Sequence, residues 1–174
     1  MRRIWFFQAL LFCAPFATPA AADYIGDQMD ACYQPLTPMS RAAIIEACGK
    51  LLQLGELPVR TIQSPAFVAR GNAYAAGADF PKALADFSVA IEIDPDNPAP
   101  FSARGMTLMK QKRFGDAFDN FDTAAKLDAG NAMALYGRGL SAAKLGKNGG
   151  ADMARAATLD PGMAQFYADN GLVP

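Results

Sequence analysis

A pattern that recurs with a constant period constrains the fold of this chain more than any other feature. The segment FSVAIEIDPDN at 87–97 returns as FDTAAKLDAGN at 121–131. Arginine–glycine pairs mark the same period, because Arg70, Arg104 and Arg138 follow one another at equal intervals. A fixed period of this size, about 34 residues, indicates a stack of similar units, each too small to bury its own apolar face.

Each unit is predicted to contain two helices. In the first unit, apolar and small residues recur at steps of three and four over 65–76 and again over 80–91, with GAD at 77–79 as the turn. Pro81 suits the opening turn of the second helix, and Asp94-Pro95 ends it. The turn of the third unit is two residues shorter. We therefore expect its second helix to begin late and to pack more loosely.

The recurring spacing inside the units resembles the tetratricopeptide repeat family, whose motif sets aromatic, glycine, alanine and proline positions at the same period. The first unit carries the full set: Phe67, Gly71, Tyr74, Ala83, Phe87, Ala90 and Pro95. The second unit carries most of it: Phe101, Gly105, Leu108, Ala117, Phe121 and Ala124, with Ala129 in place of proline. The third unit departs most, and Gly149 stands where alanine is expected.

The resemblance implies an all-α fold, a right-handed α-solenoid of about three helix-turn-helix units. Their predicted bounds are 64–97, 98–131 and 132–163. We expect the three arginines that precede the repeated glycines to pair with the acids that end the second helices, Asp94, Asp128 and Asp160.

Both ends of the stack are expected to carry covering segments. The N-terminal segment 23–63 contains a predicted helix at about 40–54, with apolar residues on one face. The C-terminal segment 164–174 is predicted to form a short closing helix, in which Phe166 and Tyr167 supply the buried side. Such covers are expected because an end unit otherwise exposes its apolar face.

Residues 1–22 have the pattern of a cleaved secretory signal peptide. Arg2 and Arg3 precede an apolar run over 4–17, and Ala20-x-Ala22 follows as a cleavage site. Removing both arginines leaves 14 of 16 basic residues against 17 acidic ones, which gives no basic surface for nucleic acid. The predicted location is the periplasm of a Gram-negative bacterium or the exterior, without membrane insertion after cleavage.

Two cysteines, Cys32 and Cys48, remain after cleavage. An even number of cysteines in an exported chain indicates a disulfide. The alternative is a thiol-redox pair, but such pairs usually form a Cys-x-x-Cys motif at a helix start, and these two lie much farther apart in the sequence. The chain has no histidine, so neither a zinc site nor any other cofactor is expected.

The sequence favours a non-catalytic protein. Without histidine it lacks the commonest general base and the Ser-His and Cys-His nucleophile pairs. The glycine-rich stretch at 146–150 lacks the spacing of a phosphate-binding loop. The remaining alternatives to partner binding are the thiol-redox role, an enzyme whose catalytic site has no recognisable motif, and self-assembly into a homo-oligomer.

The resemblance implies a groove, lined by the first helix of each unit, that holds a protein or peptide partner. The protein is then an adaptor or assembly factor. Lys110 and Lys144 are expected at the rim, where they could meet an acidic partner. Only Asn72 matches the clamp with which some family members grip a carboxyl terminus, so that specificity is not expected. The predicted groove residues are Val68, Asn72, Ala75, Ser102, Met106, Met109, Lys110, Tyr136, Leu140, Ala143 and Lys144.

Overall fold

The computed structural model describes residues 19–33, 40–54 and 59–172, and their regular structure is entirely helical. Residues 1–18, most of the predicted signal peptide, lie outside this range. None of the described helices is long and apolar enough to cross a membrane. The α-helices are α1 (Pro19–Tyr33), α2 (Arg41–Leu52), α3 (Ser64–Ala76), α4 (Phe80–Ile93), α5 (Pro98–Lys110), α6 (Phe114–Leu127), α7 (Ala132–Lys144), α8 (Gly150–Leu159) and α9 (Met163–Asp169), and a π-helical turn, Val59–Gln63, precedes α3.

The asparagine that closes each repeated segment begins the next unit. The side chain of Asn97 accepts a hydrogen bond from the backbone N–H of Ala99 at 3.0 Å, at the start of α5. Asn131 accepts from Ala134 at 2.9 Å at the start of α7. Side-chain caps of this kind satisfy backbone donors that a helix leaves unpaired. The repetition seen in the sequence is therefore partly a repetition of helix starts.

The turn between the two helices of each unit has one recurring backbone conformation. Ala78, Lys112 and Gly146 have φ values of 61°, 61° and 72°, in the left-handed region. In each turn the next residue donates its N–H back into the preceding helix, as Asp79 does to Tyr74 O at 3.0 Å. This motif ends a helix and reverses the chain direction. Only the third unit has glycine at the left-handed position, where glycine is least strained.

Close contact between the two helices of a unit explains the repeated glycine. A methyl group on Gly71 would lie 2.6 Å from the ring of Phe87, and one on Gly105 would lie 2.9 Å from the ring of Phe121. Both phenylalanines are fully buried. In the first two units, the aromatic ring of the second helix thus packs against the bare backbone of the first helix.

The third unit begins its second helix late, as predicted, and α8 has ten residues where α4 and α6 have fourteen. The prediction of a shorter turn is wrong, because five residues, 145–149, separate α7 from α8, whereas three separate the helices of each earlier unit. The third unit is therefore shortened in its second helix. The prediction of looser packing is wrong at the start of this helix. A methyl group on Gly149 would lie 1.9 Å from the carbonyl oxygen of Gly139, so the two backbones are in direct contact. Gly149 stands where alanine is expected because no side chain fits there.

The repeated arginines brace the stack, with partners that differ from the predicted ones. Arg70 donates two hydrogen bonds of 2.8 Å to Asp86 in α4. Arg138 donates two hydrogen bonds to Asp152 in α8, at 2.6 and 2.8 Å. It donates a third to Asp122 in α6 at 2.8 Å, so that it connects two units. Each arginine lies at the middle of its helix, and Asp86 and Asp122 lie at the middle of α4 and α6. Asp152 lies in the first turn of α8, because that helix begins late. The predicted partners were the helix-ending acids Asp94, Asp128 and Asp160.

The helices stack in chain order, and the first helices α3, α5 and α7 contact one another along one side. At the N-terminal end, α2 packs on α3, and α1 packs on both. Helix α1 is an addition to the predicted cover, which has one helix at about 40–54. At the C-terminal end, α9 packs on α7 and α8. The side chains of α3, α5 and α9 together shape the groove described next.

Candidate partner-binding groove

A cavity of about 420 Å³ lies along the first helices of units one and two. Its walls come mainly from α3 and α5, and its far end comes from the start of α7 and from α9. Small and apolar side chains predominate, with three asparagines, a serine, a threonine and one lysine among them. The lining residues are Val68, Asn72, Ala75, Ala76, Ala99, Ser102, Ala103, Met106, Thr107, Lys110, Asn131, Met133, Phe166 and Asn170.

Six of the predicted groove residues line this cavity. On α3 they are spaced by four and three residues, which sets them on one helix face. On α5 they are spaced by four, so that they follow one another along the groove. The six residues are Val68, Asn72, Ala75, Ser102, Met106 and Lys110.

The other five predicted residues lie elsewhere. Met109 is only 2% exposed and belongs to the core, while Leu140 is fully buried. Tyr136 is also buried. Ala143 is exposed but is not part of the cavity wall, and Lys144 lines a separate cavity of about 350 Å³. The third unit therefore contributes none of its predicted residues to the groove.

The C-terminal helix covers the third unit. The ring of Tyr167 lies 4.9 Å from that of Tyr136, and its hydroxyl donates to the backbone oxygen of Met133 at 2.7 Å. Tyr167 is fully buried, and burial raises the pKa of its hydroxyl above the ordinary value. The groove is thus closed at this end instead of continuing along α7.

Sequence reasoning missed the groove residues that α9 and the start of α7 supply, namely Phe166, Asn170, Asn131 and Met133. A signal for the first two was present. Tyr167 follows Leu135 by 32 residues, and Asp160 follows Asp128 by the same number of residues. The repeat therefore continues past the third unit with this slightly shorter period. Helix α9 therefore occupies the place of the first helix of a fourth, truncated unit, and it presents side chains to the groove as α3 and α5 do.

The groove has one formal charge. Among the described residues that line the cavity, only Lys110 has an ionisable side chain, and its Nζ donates to Oδ1 of Asn170 at 3.2 Å. The amide of Asn170 in turn donates to the backbone oxygen of Phe166 at 2.9 Å. Ser102 is 3% exposed, and its hydroxyl oxygen has no hydrogen-bond partner within the described residues. The groove thus offers an apolar surface, one cation and one unused hydroxyl.

The two cysteines lie in the covering helices α1 and α2 and do not line this groove. Their sulfur atoms are 2.14 Å apart, at bonding distance. Cys48 is fully buried and Cys32 nearly so, within an apolar cluster that also contains Leu51 and Ala66. A redox exchange needs an accessible sulfur for thiolate attack. This environment favours a structural bond that ties α1 to α2.

Comparisons with known proteins agree with this architecture. Residues 71–112 match the family model of the TPR repeat. No curated protein matches the chain significantly.

Among solved structures, MamA is similar at 17% identity, with a TM-score of 0.65 over 87% of this chain and 85% of MamA. A MamA double mutant gives 18% identity and a TM-score of 0.67 over 86% and 82% of the two chains. YrrB, described as a TPR protein with an unusual peptide-binding site, gives 21% identity and a TM-score of 0.57 over 76% of this chain and 66% of YrrB. The family match and these likenesses support a tetratricopeptide repeat protein, and the likenesses show its all-α solenoid fold.

Proposed function

We propose that this tetratricopeptide repeat protein binds a segment of a partner protein in the groove between α3, α5 and α9, and that it serves as a non-catalytic adaptor or assembly factor. The observation that carries the proposal is the groove itself, a concave apolar surface with a few polar groups that converge on it. Binding sites commonly combine these features.

The composition of the groove wall suits a peptide segment. Four alanines leave room for the side chains of an occupant, and Met106 and Met133 offer adaptable apolar contacts. Asn72 and Asn131 carry amides that can donate to and accept from a peptide backbone. YrrB, a structural neighbour, is described as having a peptide-binding site, and this supports the same kind of ligand here.

The closed end limits how much of a partner the groove can hold. Because Tyr136 and Leu140 are buried at the covered end of the groove, an occupant contacts units one and two and then meets α9. A short linear segment fits this geometry better than a long helix that would run past all three units.

A groove-filling substitution tests the proposal. A phage-displayed library of random linear peptides is selected on the purified wild-type chain, on Ala99→Trp and on Ala157→Trp. Ala99 is exposed and lines the groove, whereas Ala157 is exposed on α8, outside it. We expect the wild type and Ala157→Trp to enrich related peptides and Ala99→Trp to lose them. Failure of the wild type to enrich any peptide, or equal enrichment by Ala99→Trp, would overturn the proposal.

We also propose that the chain is exported to the periplasm or beyond. The leader pattern over 1–22 supports this, and so does the disulfide between Cys32 and Cys48, since disulfides persist in oxidising compartments. N-terminal sequencing of the protein from fractionated cells should find Asp23 as the first residue, outside the cytoplasm. A cytoplasmic chain that still begins at Met1 would contradict export.

A further inference from the structure

The cation at the end of the groove has no acidic partner within the described structure. Lys110 is partly buried at the C-terminal end of α5, and its ammonium forms no ion pair with any carboxylate of the described residues. Its hydrogen-bond acceptor is the neutral amide of Asn170, 3.2 Å away. A lysine ammonium has three donors and carries a full positive charge. The contact with Asn170 therefore leaves both the charge and further donors available to an occupant.

Helix α9 fixes the position of this ammonium. Asn170 follows α9 directly, and its own amide is oriented by a 2.9 Å hydrogen bond to Phe166 O. Its Oδ1 consequently faces Lys110, which is distant in sequence. Tyr167 anchors the same helix in the core. The C-terminal helix thus positions Lys110 at the groove without neutralising it.

A second unused group lies along the same helix face. Ser102 is only 3% exposed at the groove wall, and its hydroxyl has no partner in the described structure. Ser102, Met106 and Lys110 follow one another along α5 at intervals of four residues. The helical rise from Ser102 to Lys110 is therefore about 12 Å. An extended peptide covers that distance with about four residues. A buried polar group without a partner is costly, so an occupant that pairs with Ser102 gains affinity.

We infer that the partner segment carries an aspartate or glutamate whose side chain binds Lys110, with apolar residues over Met106 and a backbone group on the Ser102 hydroxyl. Asn170 acts as a positioning residue for Lys110. The inference rests on the proposed function and adds the chemical class of the ligand. Charge complementarity carries it, because the described residues of the groove wall include one cation and no acid.

Peptide selection on matched variants tests the inference. The library displays peptides that are fused at their C-terminal ends, so any selected carboxylate belongs to a side chain. Selections are run on the wild type, on Lys110→Met, on Asn170→Asp and on Lys126→Met, and circular dichroism verifies that each variant folds. Asn170→Asp places a carboxylate beside the Lys110 ammonium, and the resulting ion pair within the chain should compensate the positive charge of Lys110. Lys126 lies on α6, outside the groove, and serves as the control.

We expect the wild type and Lys126→Met to enrich peptides with an acidic residue beside apolar ones. Lys110→Met and Asn170→Asp should bind the best of these peptides about tenfold more weakly, and the loss should shrink when asparagine or glutamine replaces the acid in the peptide. Enrichment without any acidic preference, or a preference that survives Lys110→Met, would overturn the inference while the groove proposal stands. Failure of the wild type to enrich any peptide would overturn both.

Discussion

The ring of Tyr167 lies 4.9 Å from the ring of Tyr136, and this contact decides where the groove ends. Tyr136 occupies the position in the third unit that Ser102 occupies in the second. In the second unit that position lines the groove, whereas in the third it is covered by α9.

Substitution of Tyr167 should loosen the C-terminal helix. Tyr167→Phe removes the 2.7 Å hydrogen bond to Met133 O and should lower the free energy of unfolding by about 1 kcal/mol. Tyr167→Ala also removes a fully buried ring and should cost about 3–5 kcal/mol. Urea unfolding measures both changes, and limited proteolysis should cut Tyr167→Ala near α9 first. Equal stability of all three proteins would contradict the packing described here.

A methyl group at Gly137 should be costly. It would lie 2.4 Å from the Tyr167 hydroxyl oxygen and 2.5 Å from the ring of Phe121. We expect Gly137→Ala to destabilise the fold by about 1–3 kcal/mol, despite the higher helix propensity of alanine. Gly115→Ala is the matched control, because no atom lies within 4 Å of its added methyl group. Thermal unfolding should show the first variant below the wild type and the control at or above it.

The central arginine lacks the carboxylate that its two counterparts have. Arg104 donates to the amide oxygen of Asn120 at 2.6 Å, and burial lowers the pKa of its guanidinium. Asn120→Asp should supply a paired charge and raise the free energy of unfolding by about 1 kcal/mol. The reverse change, Asp86→Asn, removes the carboxylate beside Arg70 and should lower it. Denaturant midpoints that move in the same direction for both variants would contradict this account.

Asp122 should make the stack sensitive to acid. A hydrogen bond from Lys126, together with one from Arg138, holds the pKa of Asp122 below its ordinary value. A carboxyl whose pKa is lower in the folded state contributes stability above its unfolded pKa, about 3.9, and loses that stability as the pH falls through the folded value. Urea midpoints of the wild type should therefore drop below about pH 4. Asp122→Asn should have a lower midpoint at neutral pH and a smaller drop in acid.

Much of the fold follows from the sequence because the repeat encodes local events. Asn97 and Asn131 mark helix starts, and Gly71 marks the close approach of Phe87. These signals lie within one unit or at its border. They predict the helix pairs, and the family resemblance implies the six groove positions on α3 and α5.

The remaining features depend on packing between units. The sequence predicts α9 as a cover, but not that its side chains line the groove. That placement follows from the 32 residues between Leu135 and Tyr167, slightly fewer than the regular period. The helical spacing from Met106 predicts Met109 in the groove, yet the α5 residues that line the cavity are 99, 102, 103, 106, 107 and 110, and Met109 lies in the core. The partners of Arg138 belong to two different units, so only the assembled stack identifies them.

Photo-crosslinking in the cells that make the protein is the most direct test of partner binding in the groove. One probe replaces Asn72, which is exposed in the groove, and the control probe replaces Glu92, which is exposed on α4 outside it. We predict that the Asn72 probe forms an adduct with one protein, identified by mass spectrometry, and that Ala99→Trp in the same chain abolishes it. An equal adduct at Glu92, an adduct that survives Ala99→Trp, or an adduct only between two copies of this chain would contradict binding of a partner protein in the groove.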